Sequence, residues 1–300
     1  MNKRPVLSIC IVSYNTREML RDCLHSLAEH APRVPWEVII VDNQSADGSV
    51  EVIKTEFPNV KLISLTSHEG YTKAMNCALK VAQGQYLVQL NPDTLIKTRI
   101  WDELIKFMQT HPDVGICTPK VLNRDGTLQN QCRRSAAGPW DTFCYVSGLS
   151  RLFPKNRRFA GYLMTYMDMD VVHPCEAVSG SCMFIRREVI ERIGYLDEVY
   201  YAYQEDSDFC FRARLAGFQV YYVPLTSIIH YGGQGGSLVN ARKSIYEWHR
   251  SYWIYYRRYF SPNHFFLVNW LVFIATGLRL SLRLFISLFQ RQEYVGSRKP

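Results

Sequence analysis

The sequence predicts an α/β fold, a mostly parallel sheet flanked by helices, with a helical appendage at its C-terminal end. Three observations carry this expectation. Apolar β-branched runs alternate with stretches of helical apolar spacing, polar clusters stand where the runs stop, and the last fifth changes to interleaved aromatic and basic residues.

In order along the chain, Val6 to Val12 is an apolar strand that ends at Ser13-Tyr14-Asn15-Thr16, and Met19, Leu20, Cys23, Leu24, Leu27 and Ala28 follow at helical spacing. Val38 to Val41 ends at Asp42-Asn43, and Ser45-Ala46-Asp47-Gly48 leads into Val50, Ile53 and Phe57. Val60 to Leu65 gives way through Gly70 to a helical stretch, Thr72 to Gln83, with Gly84 as its C′ stop. Tyr86 to Leu90 then delivers Asn91-Pro92-Asp93. After Ile116 the rhythm breaks. Asn123 to Thr127 reads as a hairpin turn, and 133–173 lack periodicity, which predicts a long, partly mobile insertion over a pocket. Beyond it come a strand, Ser181 to Ile185, a short helix, Arg187 to Ile193, and a helix, Asp206 to Ala216, stopped by Gly217. Val220 to Val223 leads towards His230.

With 300 residues and 47% hydrophobic content, the chain is globular and forms one large domain, or one domain plus an appendage; the patterning divides it at residue 240. Nine scattered cysteines without a C-x-x-C pair read as buried thiols in a reducing compartment, not as a zinc or disulfide framework. The N-terminal residues do not read as a signal peptide, so a cytoplasmic location is expected. The net charge of +8 gathers in Arg151 to Arg158 and from Arg242 onward. No nucleic-acid motif accompanies it, and the expected partner is an anionic membrane surface. Tyr259 to Leu278 is a run of 20 residues without Lys, Arg, Asp or Glu. Pro262, Asn263, His264 and Asn269 interrupt it, which favours an interfacial helix or helical pair over a span; the alternative is packing on the main domain or on another copy in a homo-oligomer.

Acids and an imidazole placed at strand ends converge on the ligand crevice of such a sheet. Oxygen ligands with one imidazole suit a divalent cation and a phosphate-bearing substrate. Ser8-Ile9-Cys10-Ile11-Val12-Ser13-Tyr14-Asn15, Val41 to Ser49, Leu90-Asn91-Pro92-Asp93 and Glu205-Asp206-Ser207-Asp208, in that order, resemble family 2 glycosyltransferases of the GT-A fold, notably the bacterial rhamnosyltransferase-like branch. The resemblance covers residues 5–240.

It implies that Asp42, Ser13, Tyr14 and Asn15 bind the nucleotide, with Gly70, Lys73 and Asn76 approaching the sugar nucleotide. Asn91-Pro92-Asp93 stands for the family's Asp-x-Asp metal motif, with Asn91 turned to the donor, and Asp93 and His230 ligating Mn or Mg. Residues 231–237, rich in glycine, would fold over the diphosphate. Asp206 is expected as the base, Glu205, Ser179 and Gly180 as acceptor contacts, and Asp208 as the structural partner of Arg212. The resulting expectation is an inverting transferase that moves a hexose, rhamnose foremost, from a dTDP- or UDP-sugar to a glycan or lipid-linked acceptor on the inner face of the membrane. Rivals are a sugar nucleotidyltransferase, whose Gly-rich loop is lacking after the first strand, and a catalytically idle scaffold subunit.

Overall fold

The computed structural model describes residues 4–232 and 241–289. β1 (Leu7–Ser13), β2 (Trp36–Asp42), β3 (Lys61–Ser64) and β4 (Tyr86–Leu90) pair in parallel in the order 3-2-1-4. α1 (Arg17–Glu29), α2 (Ser49–Glu56) and α3 (Tyr71–Val81) connect them. β1 and β4 are buried along their whole length, as expected of strands covered on both faces. After β1 the chain crosses to β2 on one side and later returns to β4 on the other, so the carboxyl ends of β1 and β4 flank a crevice. The helix before β4 ends earlier than the pattern predicts, at Val81. Gly84 is not its stop: a Cβ there would lie 2.6 Å from the Ser8 nitrogen, so Gly84 is needed for close packing against β1.

The second half is mixed. β5 (Thr94–Ile96), α4 (Ile100–Thr110) and β6 (Val114–Leu122) follow β4. The hairpin turn after β6 is present, with the Asn123 N–H on the Thr127 carbonyl at 2.8 Å. β7 (Arg133–Arg134) and β9 (Ala177–Val178) form a small separate pair, and β8 (His173–Pro174) pairs with β11 (Gln219–His230). β10 (Cys182–Arg186) inserts antiparallel between β4 and β6, and β11 lies between β6 and β5. Its register sets His230 opposite Thr94, and the Tyr231 N–H donates to the Asp93 carbonyl at 2.9 Å. Backbone pairing thus delivers the imidazole to the end of β4.

The aperiodic insertion is not featureless. It folds into α5 (Pro139–Ser147) and α6 (Leu149–Leu152), elements too short for a periodic pattern to register. α7 (Arg187–Ile193) and α8 (Glu205–Leu215) complete the domain.

The division at residue 240 does not mark a break in packing. α9 (Ala241–Tyr259) seats Tyr255 in the core, its hydroxyl on the Ala136 carbonyl at 3.0 Å. Asp208, fully buried, accepts from Arg212 Nε at 2.7 Å on one oxygen. The other oxygen takes Tyr259 Oη at 2.7 Å and Arg258 Nη1 at 3.1 Å, both from α9. α10 (Phe266–Phe289) folds back along α9, joined by the Tyr256 hydroxyl on Asn269 Oδ1 at 2.6 Å and by Trp253 against Phe273. Most of the remaining side chains of α10 are exposed, and its 24 residues are long and apolar enough to cross a membrane.

Removing one member of a buried ion cluster strands the others. Asp208→Ala is therefore expected to cost about 3–5 kcal/mol in urea unfolding; a loss below about 1 kcal/mol would show that α9 is held by other means.

Candidate active site

A cavity of about 570 Å³ opens at the carboxyl ends of β1, β4 and β11. Of the residues singled out in the sequence, Tyr14, Asn91, Asp93, Ser179, Gly180, Glu205, Asp206 and His230 line it. Ser13 and Asp42, which end β1 and β2, and Asn15 and Gly70, in the loops beside the cavity, are not part of the wall. Asn15 Oδ1 accepts the Ala46 N–H at 2.8 Å, which ties the β1 and β2 loops together. Asp42 uses Oδ2 to accept the Ser45 N–H at 3.0 Å. Its Oδ1 is buried without a partner, the kind of orphaned acceptor that awaits a donor. Asn76 is a scaffold contact, bridging the Leu196 backbone by Nδ2 and Oδ1 at 2.9 and 3.1 Å. Lys73 pairs with Glu69 on the surface.

The end of β4 is arranged around His230. Its Nδ1 is 2.7 Å from Gln129 Oε1, an oxygen that only accepts, so Nδ1 carries a proton and Nε2 is the nitrogen that a neutral ring would offer to a cation. Gln129 is itself fixed by its own amide on Asn123 Oδ1 at 3.2 Å. Nε2 stands 3.2 Å from Asp93 Oδ1 and 3.1 Å from Asn91 Nδ2. Adjacent ligands of a small octahedral cation are roughly 3 Å apart, so Asp93 and His230 fit a shared ion. Among the described residues no three His, Cys, Asp or Glu groups could hold a metal by themselves. The donor set fits a cation completed by phosphate oxygens. Residues 233–237 of the glycine-rich run lie outside the described residues.

The opposite wall is formed by the start of α8. Tyr203 and Gln204, both at positive φ (67° and 63°), precede it. Non-glycine residues adopt this region at a cost of about 1–3 kcal/mol each, and they persist where the surroundings overdetermine them. The turn points two adjacent acids into different surroundings. Asp206 Oδ2 meets Arg134 Nη2 at 2.7 Å and accepts the Gly180 N–H at 3.1 Å, while Oδ1 accepts the Ser207 N–H at 2.6 Å. Gly180 is needed there, since a Cβ would fall 2.2 Å from Gln89 Nε2. Among the described residues Glu205 has no cation in salt-bridge contact, and its Oε2 has no hydrogen bond. Burial, reinforced by the Asp206 charge, raises its carboxyl to about 8.

Sequence reasoning missed several wall residues. Arg134 and Tyr162 come from the insertion, His68 and Tyr201 from loops, and Lys243, Glu247 and Trp248 from α9. Lys243 Nζ donates to the Tyr201 hydroxyl at 2.6 Å, and Arg279 of α10 stacks on Trp248 at 4.7 Å. The basic, aromatic composition of α9 was the available signal, but it pointed equally to a surface.

The sequence model of the family described as Glycosyl transferase family 2 matches residues 8–194. The chain belongs to that family. The transferase is 27% identical over 239 residues to an N-acetylglucosaminyl-diphospho-decaprenol L-rhamnosyltransferase of Mycobacterium tuberculosis, covering 75% of this chain and 76% of the relative. It is 26% identical to the low-salt glycan biosynthesis hexosyltransferase Agl10 of Haloferax volcanii, over 75% and 66% of the two chains. Among solved structures, a mannosyltransferase from Pyrobaculum calidifontis in complex with GDP-Man and Mn²⁺ matches 94% of this chain and 73% of its own, with a TM-score of 0.59 at 18% identity. S. aureus TarS 1–349 in complex with UDP-GlcNAc matches 82% and 66%, with a TM-score of 0.51 at 17% identity. These likenesses establish the fold as GT-A.

A raised carboxyl stabilises the fold fully below about pH 4.5, and that contribution is lost as pH climbs towards about 8. Glu205→Gln removes the loss. Its melting temperature is expected to rise relative to the native chain between pH 5 and 8; parallel pH profiles would mean that Glu205 ionises freely in the fold.

Proposed function

We propose that this transferase inverts configuration as it moves a hexose, rhamnose foremost, from a nucleotide diphosphate sugar to a glycan or lipid-linked acceptor. The setting is cell-surface polysaccharide synthesis on the inner face of the membrane. The observation that carries the reading is convergence: Asp93 with His230, and Asp206 across from them, face one cavity. The decaprenol-linked substrate named for the mycobacterial relative and the exposed apolar α10 support a lipid-linked acceptor.

On the donor side, the free Oδ1 of Asp42 and the β1 loop with Ser13, Tyr14 and Asn15 would receive the nucleotide. Gly70 belongs to this side through its carbonyl, which accepts Asn43 Nδ2 at 3.1 Å. Asp93 and His230 would hold Mn or Mg, and Asn91 would orient the donor. A cation held by them would supply charge neutralisation for the departing diphosphate, more strongly in the transition state than in the ground state.

On the acceptor side, Ser179, Gly180 and Glu205 would place the hydroxyl. Glu205, protonated near neutral pH, can donate a hydrogen bond where Asp206 accepts one. Asp206 takes the hydroxyl proton while the acceptor oxygen bonds to the anomeric carbon. The bond from that carbon to the diphosphate oxygen breaks on the opposite face, and its electron pair leaves with the nucleoside diphosphate. Arg134 fixes the Asp206 carboxylate in direction, and two oxygens with about four acceptor positions leave room for the acceptor proton.

Asp206→Asn should lower kcat by about 10²- to 10⁴-fold, the usual worth of a general base, with donor affinity little changed. Turnover near that of the native chain would remove Asp206 from this role.

A further inference from the structure

The insertion that carries Arg134 and Tyr162 into the cavity also carries a surface that the reaction does not use. Along α5, Trp140, Phe143 and Val146 are exposed, and past it Leu152 and Phe153 are 72% and 48% exposed. Arg151, Lys155, Arg157 and Arg158 stand among them, and the one acid of 139–159, Asp141, is half-buried with its carboxylate against Gly161. Trp140 is tied into this patch, its indole N–H on the Arg158 carbonyl at 2.8 Å and the Arg158 guanidinium over its ring at 5.7 Å. Large apolar side chains in water, rimmed by a single sign of charge, are what a protein presents to an anionic bilayer interface, where aromatic rings sit at headgroup depth.

The place of this patch in the fold supplies the second argument. The residues that lead into α5 touch the C-terminal helices: the Tyr255 hydroxyl of α9 donates to the Ala136 carbonyl at 3.0 Å, and a Cβ on Gly138 would lie 3.5 Å from the Phe260 ring. The patch thus belongs to an element seated beside α9, which also carries α10, and Arg279 of α10 lies over Trp248 of the cavity wall at 4.7 Å.

We propose that residues 139–159 form a second membrane foot, which meets anionic lipid beside α10 and sets the mouth of the cavity at the headgroup layer. The proposal rests on the membrane-bound reading of α10 given above and goes beyond it. A single helix would tether the domain and leave it free to turn. Two contacts on adjoining elements fix its orientation, so an acceptor held in the bilayer by its lipid would meet the Glu205–Asp206 wall without leaving the membrane. Each basic side chain near an anionic surface is worth about fivefold in partitioning, so the four together bias the domain to one pose.

The test uses the full chain with Cys77→Ser, since the other eight native thiols are buried. Leu152→Cys in one sample and Leu278→Cys in another are labelled with an environment-sensitive fluorophore and mixed with phosphatidylcholine vesicles, with or without phosphatidylglycerol. With phosphatidylglycerol, both labels should shift to the blue and be quenched by brominated lipid. Reversal of Arg151, Lys155, Arg157 and Arg158 to Glu should abolish the shift at 152 and spare that at 278. A label at 278 that enters lipid while the label at 152 stays in water overturns the foot and leaves α10 membrane-bound. Neither label entering lipid removes both readings. A shift at 152 that grows with protein concentration and needs no lipid assigns the patch to a second copy of the chain and overturns the proposal.

Discussion

The buried carboxylate of Asp208 is the joint on which the architecture turns. It lies two residues beyond Asp206 on α8, and it is neutralised from two directions, by Arg212 of its own helix and by Arg258 and Tyr259 of α9. A carboxylate in such a place is tolerable only when these partners are all present. Its satisfaction therefore brings α9 onto the domain, and with α9 come Lys243, Glu247 and Trp248 of the cavity wall. The helix that bears the apolar α10 is thus also a wall of the site.

The two acids at the head of α8 show how environment separates like groups. Glu205 and Asp206 are neighbours in sequence, aimed by a turn with two strained residues, yet only Asp206 has a guanidinium against it. Glu205, buried without such a partner, keeps its proton to higher pH. Pairs of carboxyl groups driven apart in this way divide the labour of donating and accepting protons. Asp93 and His230 are matched by contrast: the β11–β5 register brings them together, and Gln129 settles which imidazole nitrogen faces the acid.

What the sequence made legible follows from what is local. The strands of the first half and the polar clusters that end them are set by short-range pattern, so Asn91 and Asp93 could be placed at a strand end, and Glu205-Asp206 at a helix start, from the order of residues. Gly84 was misleading for the same reason. It is needed where the chain packs against Ser8, far away in sequence, which a local pattern does not encode. Arg134 sits on a strand of two residues in an aperiodic stretch, and only the fold reveals that it meets Asp206, 72 positions later. The aromatic residues of α9 advertised an amphipathic helix without saying that one face is pocket wall and another is the seat of α10.

The central claim is that one cavity binds a nucleotide diphosphate sugar through a cation shared by Asp93 and His230. Calorimetric titration of the intact chain with dTDP- and UDP-sugars, in manganese or in chelator, tests it most directly. Saturable binding of one donor class, which requires the cation and is lost in Asp93→Ala, is the expected result. Equal binding in chelator, or binding undiminished in that variant, would contradict it.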